Sequence, residues 1–490
     1  MGLKKNLLYN SLLSFSQVAF PLISIPYLSR ILRPEGLGQV SFIDSLSYYF
    51  VVIAEFGIVT YGIKQVSRLR NDREALGRLV SDLLSLHILV SLVSMAIYIL
   101  TVFLLYRHIG DLRFVLFSLS FLAVNSFACE WYFLGREEFR FVSLRSFATR
   151  TLGLISIFLL VNDSGDSIIY YAIIICSAMA NQAWNAWRLF REIPVSFRAV
   201  RWKPHLPHLR VTYLISLVYS IVLMLDNVLL QLVSVSAAVA FYAFAAKLVR
   251  LSGGLVTDAL LVFYPRTISL AHRNEQEQLQ VTVMQVSQLI LLLTIPMGAG
   301  IFLLADQFTL VYFGEAFAPL AHNLKILSLY PLVKAYSLFL NKQILMTYDK
   351  EKLILRGLAL GAFVFLVLAF PLCYYFADKG MSFAIMGSEL TVLLYNMQAV
   401  QRLGTHLRVL EQRTALEALA GSLLFVPIVW AGQWIESGLL AIMAEVLACL
   451  AVYALFLFFI ARNRIALHIA HSFFPTLSLF KTSNRETRNR

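Results

Sequence analysis

The 490-residue chain is 59% hydrophobic and 14% charged, whereas a soluble globular protein is about 45–50% apolar and about 25% charged. These proportions exclude an ordinary soluble domain. The net charge of +13 does not indicate nucleic acid as a partner, because the basic residues fall mostly in alternate loops, as expected of a membrane protein.

The apolar residues form continuous runs of about 20, the length of helix that crosses about 30 Å of hydrocarbon. A transmembrane barrel would instead show shorter segments with alternating polarity. We therefore predict an all-α integral membrane protein with about fourteen transmembrane helices. The predicted spans are residues 7–29, 39–60, 79–105, 114–134, 147–161, 168–187, 211–233, 239–264, 283–304, 324–347, 353–376, 383–401, 415–433 and 439–461.

The lysines and arginines indicate the topology. With the N-terminus inside, 31 of the 41 basic residues fall on the cytoplasmic side, six fall on the opposite side and four lie within spans. This bias predicts that both termini are cytoplasmic. The apolar run after Lys4 and Lys5 is long for a signal peptide, so we interpret it as an uncleaved first helix.

A basic, proline-containing stretch between the sixth and seventh spans divides the chain. We predict an N-terminal lobe over 1–190, a cytoplasmic linker over 191–210 and a C-terminal lobe over 211–403. The two six-helix lobes would surround a central cavity. Residues 404–461 are predicted to form an extra helix pair, and residues 462–490 a basic cytoplasmic tail.

The sequence contains no phosphate-binding loop, nucleophile elbow, zinc-binding helix or dinucleotide motif. The longest outward loop, about 305–323, is short for holding catalytic groups. We therefore expect no catalytic residues, no cofactor and no metal site, and we favour a carrier over an enzyme.

Four cations lie within predicted spans, where a charge is costly and usually faces a cavity or a partner. They are Lys247, Arg250, Lys334 and Lys342. Lysine and arginine form charge-assisted hydrogen bonds with phosphate oxygens. We predict that Lys247, Arg250 and Lys334 line a cavity that binds a pyrophosphate group, with Arg30 as a further contact.

Four acids within the spans are candidates for ion coupling or gating. They are Asp44, Glu55, Asp226 and Asp258. A structural interpretation stays open, since Asp226 could pair with Lys247 only to hold two helices together. Asp258 could do the same with Arg250.

Aromatic residues end two of the spans. Trp131, Tyr132 and Phe133 end the fourth span, and Trp184 and Trp187 end the sixth. We interpret them as an interfacial belt, with sugar stacking as the alternative.

Four stretches together resemble the Wzx-type O-antigen flippases, which are polysaccharide-transport members of the multidrug/oligosaccharidyl-lipid/polysaccharide exporter superfamily. They are Tyr-Leu-Ser-Arg-Ile-Leu-Arg-Pro-Glu-Gly-Leu-Gly at 27–38, Glu-Trp-Tyr-Phe-Leu-Gly-Arg-Glu at 130–137, Asp226 with Tyr242, Ala245 and Lys247, and Phe-Gly-Glu-Ala-Phe at 313–317. One departure is Arg33, where a small residue is commoner.

The resemblance implies a carrier of an undecaprenyl-pyrophosphate-linked oligosaccharide. It implies two lobes around a cationic cavity and alternating access, with coupling to protons or sodium as an option. The expected location is the bacterial inner membrane, and the expected partners are the lipid-linked substrate, membrane lipids and other polysaccharide-assembly proteins.

Three alternatives stay open from the sequence. The same fold could export lipid II or a drug, although a drug exporter favours acids over cations in its cavity. A membrane-embedded polymerase or ligase would need catalytic groups on an outer loop. A non-transporting scaffold would gain nothing from charges buried within its spans.

Overall fold

The chain folds into helices joined by short turns, and the residues that the structure describes contain no strand. The all-α fold class is therefore confirmed. The computed structural model describes residues 3–197, 200–260, 263–273, 275–403, 407–434, 438–463, 465 and 467.

The first nine helices cover the chain to residue 233, and a 3-10 turn at Lys203–His205 precedes the ninth. They are α1 (Leu3–Glu55), α2 (Ile58–Leu69), α3 (Arg73–Leu104), α4 (Tyr106–Ile109), α5 (Leu112–Asn125), α6 (Glu130–Gly135), α7 (Phe139–Leu160), α8 (Ser167–Glu192) and α9 (Leu206–Val233).

Nine further helices follow, with a 3-10 turn at Glu315–Phe317 and π-helical turns at Leu340–Leu345 and Phe456–Ile460. They are α10 (Ser236–Leu260), α11 (Tyr264–His272), α12 (Gln276–Phe313), α13 (Leu320–Leu327), α14 (Tyr330–Phe339), α15 (Glu351–Arg402), α16 (Gln412–Leu423), α17 (Phe425–Gly432) and α18 (Leu439–Leu455).

Nine helices among the described residues are long and apolar enough to cross a membrane, which identifies a multi-pass membrane protein. Two of them contain a non-helical residue, Arg33 in α1 and Ala377 in α15, so each consists of two helices joined at a kink. The first kink lies between the predicted spans 7–29 and 39–60, and the second between 353–376 and 383–401. The count of fourteen spans stays a prediction.

Two compact units can be distinguished in the chain. The first comprises residues 1–244, 313–317 and 365–385, and the second comprises 245–312, 318–364 and 386–490. The predicted lobes, linker and helix pair stay predictions. Most of the predicted tail, residues 468–490, lies outside the described residues, as do the side chains of Lys4 and Lys5.

The core of the first unit includes the aromatic residues at the end of the fourth predicted span. Trp131, Tyr132 and Phe133 are buried in this core, so their assignment to an interfacial belt is wrong. The cause is α2, which packs against α6. A β-carbon on Gly62 of α2 would lie 2.5 Å from the Trp131 indole. Because glycine has no side chain, the ring can pack directly against the α2 backbone. Trp184 is exposed and keeps its interpretation as an interfacial residue.

The second unit packs its last helices against α12. The Tyr453 hydroxyl donates a buried hydrogen bond to the Leu292 carbonyl at 2.9 Å. The Gln307 side-chain amide donates to the Glu445 carboxylate, also at 2.9 Å. Residues of the predicted extra helix pair are therefore integral to the packing of this unit.

Candidate functional site

Asp226, on α9, is fully buried. Its carboxylate accepts a hydrogen bond from the Tyr242 hydroxyl of α10 at 2.7 Å and one from the Asn227 backbone N–H at 2.7 Å. The Asn227 side chain donates in turn to the Ser45 hydroxyl of α1 at 2.8 Å. Asp226 and Tyr242, which belong to one of the four motifs that resemble the flippases, are thus joined by a direct hydrogen bond. The side-chain amide of Asn227 links α9 to α1.

Three of the four resemblance motifs meet within the first unit. A β-carbon on Gly38 would overlap the Ser236 carbonyl at the start of α10, so glycine permits this close approach. The rings of Phe313 and Phe244 lie 6.0 Å apart. The backbone of Gly314, at a φ of 92°, lies next to the aliphatic part of Arg30. The last contact joins residues of two motifs that are distant in sequence, and the other two place motif residues against α10.

Lys334 and Glu389 form an ion pair inside the second unit, with Nζ and Oε1 2.6 Å apart. The two side chains, on α14 and α15, are 17% and 5% exposed. Burial of both charges removes much of their hydration, and their mutual attraction compensates for this loss. The predicted cavity cation therefore has a definite structural partner.

The other predicted site residues are placed on two helices. Arg30 is exposed on α1, and one guanidinium nitrogen donates to the Pro26 carbonyl at 3.1 Å. On α10, Lys247 is exposed and Arg250 is part-buried. Their spacing of three residues puts both on one face of the helix.

The predicted coupling acids Asp44 and Glu55 are part-buried on α1. The side chain of Asp258 lies outside the described residues. The predicted site residues are divided between the two units. The first unit contains Arg30, Asp44, Glu55 and Asp226, and the second contains Lys247, Arg250 and Lys334. Their role in a shared substrate site stays a prediction.

A network of arginines and glutamates lies at the predicted cytoplasmic ends of α6, α7 and α8. Arg136 is 3.0 Å from a Glu192 oxygen and 3.2 Å from a Glu138 oxygen. Arg188 is 2.5 Å from Glu138 and 2.6 Å from Glu192, and its guanidinium lies 4.1 Å from the centre of the Phe141 ring. Arg136 and Arg188 thus form ion pairs with both glutamates, and Arg188 also makes a cation–π contact with Phe141.

Burial alone would lower the pKa of Arg136. The Tyr132 hydroxyl, which accepts its hydrogen bond at 2.6 Å, and the carboxylates of Glu138 and Glu192 outweigh this effect and raise the pKa above its usual range. Arg136 is therefore charged at any physiological pH.

This network borders a cavity of about 690 Å³ within the first unit, which we call the arginine cavity. Its lining includes Arg70, Arg136, Arg140, Arg145 and Arg188. Phe141, Leu144, Ala148 and Trp184 form an apolar wall. In the sequence, these arginines indicate the orientation of the chain, and Arg136 also belongs to the motif at 130–137. The spacing of Arg188 and Glu192, four residues apart on a helix, was the available signal of pairing.

The chain matches the model of the family described as polysaccharide biosynthesis protein over residues 3–270. Two curated relatives carry the name "Putative O-antigen transporter". The one from Shigella dysenteriae is 24% identical over 425 residues, covering 81% of this chain and 100% of its own length. The one from Escherichia coli (strain K12) is 20% identical over 407 residues, covering 80% and 95%.

Solved structures share the fold. A lipid II flippase MurJ in an inward closed conformation aligns with a TM-score of 0.71 at 13% identity, covering 94% of this chain and 100% of that one. An inward-facing multidrug resistance MATE family transporter of the MOP superfamily aligns with a TM-score of 0.59 at 14% identity, covering 79% and 98%. At these identities the likeness establishes the fold only.

Proposed function

This chain belongs to the polysaccharide biosynthesis protein family, and on that premise we propose that it is a flippase for lipid-linked oligosaccharides. The cargo is an undecaprenyl-pyrophosphate-linked repeat unit of O-antigen or another surface polysaccharide. The protein carries it from the cytoplasmic to the periplasmic leaflet of the bacterial inner membrane, with both termini in the cytoplasm.

Two observations together carry this proposal. The relatives that match over 95% or more of their own length are named as O-antigen transporters, and this chain places cations within its apolar helices. A carrier of a pyrophosphate needs such cations, because an anion in a low-dielectric passage requires charge-assisted hydrogen bonds. We assign this role to Arg30, Lys247, Arg250 and Lys334.

Alternating access accounts for translocation without an ATP-binding motif. The fully buried Asp226 is our candidate for gating or ion coupling, with Asp44, Glu55 and Asp258 as further candidates. We propose that the protein is a transporter without catalytic activity. Its partners are the lipid-linked substrate, membrane lipids and other membrane proteins of polysaccharide assembly.

Deletion of the gene tests this function. Lipid-linked repeat units should accumulate in the cytoplasmic leaflet, and surface polysaccharide should disappear until the wild-type gene is restored. Normal surface polysaccharide in the deletion strain would refute the proposal. Rescue of cells depleted of their lipid II flippase would assign lipid II as the cargo.

The cationic site is tested by alanine substitution of Lys247, Arg250 and Lys334 together. Glu389→Gln is added to the triple variant so that the Glu389 carboxylate is not left without its cation, and we then expect loss of transport at normal protein levels. Arg107→Ala is the matched control, because Arg107 is exposed on the short helix α4. Full transport in the triple variant would remove these residues from the substrate path.

A further inference from the structure

We propose that the arginine cavity is a binding site for the phosphate group of a membrane lipid. The site lies entirely within the first unit, at the helix ends predicted to be cytoplasmic. The proposal goes beyond the transport function, because the cavity can hold such a lipid whether or not that lipid is the cargo.

A buried guanidinium nitrogen with no acceptor is the first argument. Arg145 lines the cavity and is 3% exposed. One of its nitrogens pairs with Glu130, and another donates to the Asn181 side chain at 3.0 Å. Its Nη1 is buried and has no hydrogen-bond partner. A buried donor of this kind is destabilising unless something supplies an acceptor, and a phosphate oxygen in the cavity is such an acceptor.

The charge balance of the lining is the second argument. Arg70, Arg136 and Arg188 each lie within 3.3 Å of a glutamate oxygen. Arg140 is exposed on the cavity wall and forms no ion pair with any residue that the structure describes. Arg140 can therefore receive an anion without breaking the existing pairs, and a small shift of the buried Arg145 side chain would bring its unpartnered nitrogen to the same anion.

The apolar wall identifies the anion as part of a lipid. Leu144 and Trp184 each expose 46% of their surface beside the arginines. Further along α7, Leu152 and Leu159 are also exposed. A phosphate bound at the arginines would place its hydrocarbon chain along this apolar face. Basic pockets between transmembrane helices on the cytoplasmic side bind acidic lipid headgroups in the same way.

Two lipids of the inner leaflet carry this chemistry, namely an anionic glycerophospholipid and the polyprenyl pyrophosphate of the substrate. Both present phosphate oxygens at the membrane surface and hydrocarbon below it. Free pyrophosphate has the same phosphate oxygens but no hydrocarbon chain to pack against the apolar wall. The three molecules therefore serve as separate probes.

The test uses the purified full-length protein in nanodiscs of zwitterionic lipid. Native mass spectrometry measures the binding of phosphatidylglycerol, undecaprenyl pyrophosphate and inorganic pyrophosphate. The variants are Arg140→Gln and the double variant Glu130→Gln/Arg145→Gln, which removes both charges of this pair and so leaves no lone charge. Arg107→Gln is the control.

We expect each cavity variant to weaken lipid binding about tenfold, as for the loss of one charge-assisted hydrogen bond to phosphate, and the control to bind as wild type does. Preference for one of the two lipids would identify the natural occupant. Equal lipid binding by wild type and Arg140→Gln would overturn the proposal. Binding of inorganic pyrophosphate without either lipid would also overturn it, since the site would then take a free anion.

A flipping assay on the same proteins separates this inference from the transport function. If wild type flips lipid-linked oligosaccharide but the cavity binds no lipid, only the inference fails. If the cavity binds lipid but the protein flips nothing, only the proposed function fails.

Discussion

Replacement of Lys334 by methionine removes the cation of a buried ion pair and keeps a side chain of similar length. Glu389, only 5% exposed, would keep its carboxylate in an apolar environment without the ammonium 2.6 Å away. Loss of one partner of a buried pair costs about 3–5 kcal/mol, because the remaining charge is poorly solvated. We therefore expect Lys334→Met to be strongly destabilising.

The double variant Lys334→Met/Glu389→Gln removes both charges. Replacement of a whole buried pair is often neutral or stabilising, so we expect the double variant to recover at least about 2 kcal/mol relative to Lys334→Met. Its transport should nevertheless stay low if Lys334 also contacts the pyrophosphate. The combination therefore separates the structural role of Lys334 from its proposed substrate role.

The free energy of unfolding in detergent, followed by tryptophan fluorescence, measures the first effect, and restoration of surface polysaccharide measures the second. Lys325→Met is the control, because the side chains of the Lys325–Asp306 pair are 32% and 62% exposed and exposed pairs contribute about 0–1 kcal/mol. Equal stability of the single and double variants would show that the Glu389 carboxylate does not depend on Lys334 for its stability, and would refute this reasoning. Normal transport by the stable double variant would assign Lys334 a structural role only.

Three further predictions concern the first unit. Tyr242→Phe removes the hydroxyl that donates to buried Asp226, so we expect a loss of about 1–3 kcal/mol in unfolding free energy. If Asp226 is a gating residue, the same variant should also alter the pH dependence of flipping. Gly62→Leu would drive a side chain into the Trp131 indole, and we expect a loss of about 1–3 kcal/mol by the same denaturation assay. Arg33→Gly should gain about 1 kcal/mol, because Arg33 has a φ of 58° and a ψ of 174°, a region that favours glycine.

Matched variants sharpen these expectations. Gly165→Ala serves as the control for Gly62→Leu, because a β-carbon at Gly165 meets nothing within 4 Å. Arg33→Lys keeps both the charge and the unfavourable backbone, so it should leave stability unchanged. An unaltered pH profile in both Tyr242→Phe and Asp226→Asn would assign this pair to packing alone.

The sequence predicts the fold class well because hydropathy is a local property. Runs of about 20 apolar residues determine helices regardless of their neighbours, and kinks in fact separate two pairs of predicted spans. The environment of a residue is less accessible to such reasoning. Trp131 lies at the end of a predicted span, where an interfacial residue is expected. In the structure it packs against Gly62 and is buried in the core.

Pairing between distant charges does not follow from the sequence. Lys334 and Glu389 are 55 positions apart in the sequence, and nothing local indicates that their helices bring them together. The arginine cavity combines residues of α7 and α8 with Arg70, which follows α2, and with the turn after α6. Hydropathy places these arginines outside the predicted spans, which indicates orientation but not that they meet around one cavity.

Orientation alone does not explain how these arginines are arranged. The positive-inside bias depends on the number of lysines and arginines and needs no carboxylate beside them. Here Glu138 and Glu192 each contact two arginines, and Arg188 also stacks on Phe141. The planar guanidinium can bind two carboxylates through separate N–H groups while its face lies over a ring, an arrangement that orientation alone does not need, since lysine would serve orientation equally well. The arrangement therefore fixes the direction of the guanidinium groups around the arginine cavity, as a site that recognises a planar or tetrahedral oxyanion requires.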